Sequence, residues 1–204
     1  DYVTPKVSFH SPYVEVTASG IFKDAVTGED MEDNMELKAF ANLESSQEAN
    51  VSVYSTLVAA RIKRLVNSDY SFDAAVLQAN KEIMQNFGFK TSDNLDAIAL
   101  AVAILLRGHP DDTDMTLSDK LENLSKDFAP DGKIQDEGAM VKFADYAFNL
   151  EYLKYRDEDT DEPLLKLSDI RNNLENWSND SVPAFEAVLT RFWNHVYGLE
   201  KCSA

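Results

Sequence analysis

The stretch "MELKAFANLESSQEANVSVYSTLVAARIKRLV", residues 35–66, changes its hydrophobic period from two to about 3.6, and that change decides the fold. In "MELKAFANL", Met35, Leu37, Ala39 and Ala41 fall on one face while Glu36, Lys38 and Asn42 fall on the other, as in a strand with one wet side. From Tyr54 onward, Val58, Ile62, Leu65 and Val66 are spaced for a helical stripe. Upstream, "YVEVTASGIF" alternates like the strand and is separated from it by the turn-rich "KDAVTGEDMEDN", an antiparallel hairpin signal. One further short strand each is expected in "KVSF" at 6–9 and "ANVSV" at 49–53.

Helical periodicity then continues to the end of the chain. Ser71 reads as an N-cap, Phe72, Val76, Ala79, Ile83 and Phe87 follow at spacings of four and three, and Gly88 suits a left-handed C-terminal position. A third helix over 93–107 is apolar nearly all round and stops at Gly108 with Pro110 behind it, so it belongs at the centre. Leu117, Leu121, Leu124 and Phe128 mark a fourth, and Met140, Phe143, Ala147 and Leu150 a fifth that runs on towards Arg156. The acidic "RDEDTDEP" makes a solvated loop. Leu167, Ile170, Leu174 and Trp177 then form one stripe, and Phe185, Val188, Phe192 and Val196 the last, before Gly198. The expected fold class is α+β, predominantly α, with an N-terminal β-hairpin layer followed by a bundle of six or seven helices. The composition shift near Val53 sets off a hairpin region, 1–53, packed on or bridging to the helical part, from a helical domain, 54–204.

Charge and composition exclude several functions. With 19 Lys plus Arg against 36 Asp plus Glu, the formal charge of -17 opposes nucleic acid and anionic membranes, which are held by cationic side chains. The single cysteine, Cys202, forbids an internal disulfide and a thiolate metal cluster. The longest apolar run, 95–106, falls short of the roughly 20 residues of a transmembrane helix, so no membrane span is expected. A chain beginning at Asp1, without Met or a charged-then-apolar leader, reads as a mature form whose targeting segment was removed.

No motif carries a reaction. In "DFAPDGKIQDEG", 127–138, Gly132 can take the sixth position of an EF-hand loop, with Asp127 first, Asp131 fifth and Ile134 eighth. Ala129 and Gly138 occupy the third and twelfth, however, where two oxygen ligands are needed. A Pro-Asp-Gly turn between two helices, with Asp136 capping the second, is the preferred reading. His10, His109 and His195 form no pair at helical spacing and no "HExxH", and neither "GxSxG" nor a glycine-rich phosphate loop occurs. Catalytic residues, metal ligands and cofactors are therefore expected to be none. An aromatic stripe on the fifth helix, Ala144, Phe148, Tyr152 and Tyr155, is either core or a binding face for sugar or protein.

Several segments together carry a resemblance: "PYVEVTASGIFKDAVTGED", "MELKAFANL", "NVSVYSTLVAARIKRLV", "SFDAAVLQANKEIMQNFGF", "AILLRG", "DFAPDGKI" and "IRNNLENW". In this order they resemble uncharacterised domains of predicted bacterial cell-surface lipoproteins, a family of unknown function, with Leu57 where the family pattern has a His. The resemblance implies export and surface display, and it assigns no functional residue. The expectation is a non-enzymatic exported or cell-surface interaction or scaffold module with a protein or glycan partner. The alternative is a carbohydrate-binding module or a carboxylate-dependent glycan hydrolase, with a groove lined by Tyr152, Tyr155, Trp177 or Trp193.

Overall fold

A computed structural model describes residues 10–24, 26–31, 33–45, 48–108, 115–151, 166–178 and 181–199. Two antiparallel strands, β1 (Tyr13–Gly20) and β2 (Met35–Asn42), pair from Tyr13 opposite Asn42 to Gly20 opposite Met35. Seven helices follow among the described residues: α1 (Val53–Val66), α2 (Phe72–Phe87), α3 (Leu95–Arg107), α4 (Leu117–Phe128), α5 (Glu137–Glu151), α6 (Leu167–Ser178) and α7 (Phe185–Val196). The α+β class with helix dominant is thus observed.

Local chemistry explains the helix boundaries. Ser71 accepts the Ala74 N–H, and Gly88 closes α2 at φ +65°, where a Cβ would lie 2.5 Å from the His195 Cβ on α7. Gly88 therefore serves both the left-handed cap and the close approach of two helices. Asn94 accepts from the N–H groups of Asp96 and Ala97, so α3 starts at Leu95, where the apolar run begins and two residues later than the expected 93. The expected strand at 49–53 does not form. Ser52 and Ser55 make a reciprocal capping box there, and Val53 opens α1 instead of closing a strand. The strand expected at 6–9 lies outside the described residues.

α3 is the central helix, packed against α1, α4, α5 and α7. Ile98, Ala101, Val102, Ile104, Leu105 and Leu106 are buried on its several sides, in one cluster with Met35 and Leu37 of β2 and Phe87, Phe128, Phe185 and Phe192. Two residues of the expected stripes turn outward: Val66 at the end of α1 is 41% exposed, and Trp177 in the last turn of α6 is 59% exposed.

The long connection between the strands is fastened down. The Asp24 carboxylate, 6% exposed, accepts from the Val26 N–H at 2.8 Å and pairs with Arg107 at the end of α3 at 2.6 Å. Val26 is buried, and its carbonyl accepts from the Asn173 side chain on α6 at 3.1 Å. This turn joins the hairpin to helices far along the chain, which sets how the sheet sits.

Candidate functional site at the open edge of the hairpin

The register of the hairpin fixes which backbone groups point away from it. Leu43 N–H donates to the Pro12 carbonyl at 2.7 Å, so this is a hydrogen-bonded pair of the antiparallel ladder. Such pairs alternate with non-bonded ones. Val14, Val16 and Ala18 therefore direct their N–H and C=O groups to Ala41, Ala39 and Leu37, while Glu15, Thr17 and Ser19 direct theirs outward. On β2 the outward set includes Lys38, and its backbone is met there by α1. Thr56 Oγ1 accepts the Lys38 N–H at 2.8 Å, and Ser55 Oγ donates to the Lys38 carbonyl at 2.7 Å. The agreement of both ends confirms the parity.

The outward backbone of β2 is thus met by α1 at Lys38, whereas no other described residue hydrogen-bonds the outward backbone groups of β1 at Glu15, Thr17 and Ser19. Glu15, Thr17 and Ser19 are exposed, and β1 contains no proline or bulge to blunt its edge. Its inner face, Val14, Val16 and Ala18, is only half-buried, in contrast to Leu37, Ala39 and Ala41 beside it. On the outer face Glu15 pairs with Lys63 at 3.4 Å, Lys38 with Glu36 at 2.6 Å, and Tyr13 stacks on Phe72 at 4.2 Å. The hydrogen bond from Lys38 lowers the Glu36 carboxyl below its ordinary range, and the same bond raises the Lys38 ammonium. The result is a row of outward backbone donors and acceptors at Glu15, Thr17 and Ser19 that no proline or bulge interrupts.

Beyond β2, a cavity of about 280 Å³ is lined by Phe40, Asn42, Asn50, Tyr54, Val76 and Asn80, among others. Its most buried polar group, the Tyr54 hydroxyl, donates to Asn80 Oδ1 at 2.7 Å, and Asn80 in turn donates to the Val76 carbonyl at 2.8 Å. Burial pushes the Tyr54 phenol far above its usual range, so it stays protonated at any ordinary pH. A neutral phenol committed to an amide is a poor general acid or base.

The 127–138 loop is the Pro-Asp-Gly turn. Asp127 accepts from the N–H groups of Gln135 and Asp136 at 2.8 and 3.1 Å, and Asp131 from the Lys133 N–H at 3.0 Å. Asp136 caps α5 by accepting the Ala139 N–H at 2.9 Å. The turn is clamped from outside by Arg61, whose guanidinium donates to the carbonyls of Ala129 and Pro130 and forms a fork with Glu82 at 2.7 and 3.2 Å. Asn86 donates to the Gly132 carbonyl and accepts the Ile134 N–H. Each carboxylate proposed for a cation thus holds the loop's own backbone.

Other candidates from the sequence scatter. His10, ahead of β1, and His195, on α7, are both exposed, and His109 lies outside the described residues. Phe148 is half-buried and meets Trp193 edge-on at 5.9 Å and Tyr197 at 6.2 Å, which makes it packing between α5 and the end of α7. Tyr152 and Tyr155 lie outside the described residues. Trp193 is 4% exposed and cannot line a groove, whereas the Trp177 ring is open. Among the described residues no group of three His, Cys, Asp or Glu could hold a metal ion, and no helix is long and apolar enough to cross a membrane. Sequence reasoning missed the β1 edge, because which residues point outward depends on pairing. Compared with known protein families, curated proteins and solved structures, the chain matches none.

Proposed function

We propose that the chain is a non-enzymatic interaction module that works outside the bacterial cell or on its surface and binds an extended protein segment. One observation carries the non-enzymatic reading: the described residues bury two charged side chains, Asp24 and Arg61, and both are spent fastening backbone turns. Catalytic groups are placed where burial and neighbours tune them for proton transfer. Here burial serves architecture. The resemblance of the sequence to domains of surface lipoproteins supports the location.

The test is an incubation with chromogenic glycosides, esters, soluble polysaccharides and peptides. Product is expected to appear no faster than in buffer, and turnover abolished by replacing one carboxylate or histidine would overturn the reading. Antibody is expected to label intact cells carrying the natural protein, and labelling only after lysis would contradict the location. The open Trp177 ring favours a second reading, carbohydrate binding without catalysis, since flat exposed indoles suit sugar faces. Immobilised polysaccharide would then retard the protein but not Trp177→Ala.

A further inference from the structure

We propose that the open edge of β1 takes up an extended segment of another protein as a third strand, and that this segment alternates apolar with basic residues. The proposal rests on the interaction-module reading and names the partner's chemistry. An added antiparallel strand can exchange two backbone hydrogen bonds at each of Glu15, Thr17 and Ser19, the three residues whose main-chain groups face outward. Main-chain bonding supplies affinity at such an edge. Side-chain alternation supplies choice.

The two faces dictate the alternation. Residues of the incoming strand opposite Val14, Val16 and Ala18 lie on the inner face, beside side chains that are half-buried, with no strand among the described residues on their far side. Apolar residues there complete the layer that Leu37, Ala39 and Ala41 already form over the helices. Residues opposite Glu15, Thr17 and Ser19 stay in water, and a basic residue opposite Glu15 shares its carboxylate with the exposed Lys63 in a favourable cross-strand pair.

Charge decides between a foreign segment and a second copy. Each chain carries a formal charge of -17, and acidic residues flank both ends of the sheet, Glu29 and Asp33 in the connection, where Asp30 is paired with Lys23, and Glu44 and Glu48 after β2. Two copies joined edge to edge would bring these like charges together, which is costly. A cationic segment is drawn to the same place.

The test uses the full chain and capped peptides as long as β1: one alternating Val and Lys, one alternating Val and Glu, and one with the same Val and Lys in two blocks. Fluorescence anisotropy is expected to show the alternating basic peptide binding about tenfold or more tighter than either control, since blocks retain the charge but not the faces. Thr17→Pro removes one outward donor while leaving the β1–β2 ladder intact, a position where an edge strand tolerates proline. It is expected to abolish the binding with circular dichroism unchanged. Should that variant fold poorly, Thr17→Lys keeps the backbone donors and sets like charge against the peptide, and is expected to weaken binding about tenfold. Equal binding of all three peptides, or binding unaffected by either variant, would overturn the proposal. Sedimentation showing a dimer of the free chain that Thr17→Lys dissociates would replace the foreign segment by a second copy and also overturn it. Failure of the peptides alone leaves the non-enzymatic reading standing, whereas turnover of a substrate would refute that reading without touching the peptide result.

Discussion

Replacing Gly132 with alanine is expected to destabilise the protein by about 3–4 kcal/mol, through a residue that touches no ligand. Gly132 has φ +76°, a conformation that costs an ordinary L-residue about 1 kcal/mol or more. Its new Cβ would also stand on the Glu82 carboxylate. Glu82 then has to leave Arg61, which is 8% exposed. Removing one partner of a buried ion pair costs about 3–5 kcal/mol, and Arg61 keeps the carbonyls of Ala129 and Pro130, which brings this part down to about 2–3 kcal/mol. Urea unfolding should register the sum, and the melting midpoint should fall by roughly 6–16 °C. In a Glu82→Ala background the clash is absent, so Gly132→Ala should then cost only about 1 kcal/mol. Equal costs in the two backgrounds would refute the clamp.

Three further outcomes follow from the packing and the charges. Thr56→Val removes the hydroxyl that accepts the Lys38 N–H, and the stranded donor should cost about 1–3 kcal/mol in chemical unfolding. Trp193→Ala should cost about 3–5 kcal/mol because the ring is buried, while Trp177→Ala should stay within about 0.5 kcal/mol. Burial would raise the Glu186 carboxyl, but hydrogen bonds from Arg171 at 2.6 and 2.7 Å overcome it and leave the group below its ordinary range. A lowered folded-state value means the stabilisation is present above the unfolded value of about 4.3 and is lost as pH falls through the folded one. The midpoint of Glu186→Gln should therefore fall less between pH 5 and about 3 than that of the parent.

The parts of the fold written locally were legible in the sequence. The alternation of Met35, Leu37, Ala39 and Ala41, the Ser71 cap and the Gly88 stop each need only a few neighbouring residues to be read. "ANVSV" misled because Val51 and Val53 mimic a strand, and the capping box of Ser52 and Ser55 outweighs that preference. Trp177 fell on a helical stripe yet is open, because a stripe does not tell whether its last turn has a neighbour. The Arg61–Glu82 clamp joins residues on different helices and reaches a third segment, so nothing local announces it. The open edge is hidden for a related reason. Alternation shows which side chains share a face, but only the pairing of Pro12 with Leu43 shows which main-chain groups look away from β2.

Uptake of a third strand requires that edge to be free in the isolated protein, and amide hydrogen exchange along β1 measures it directly. Val14, Val16 and Ala18 should exchange slowly, because their N–H groups are held by β2, and Glu15, Thr17 and Ser19 should exchange at nearly the rate of an unstructured peptide. Slow exchange at all six would show that the edge is already covered and would contradict the account.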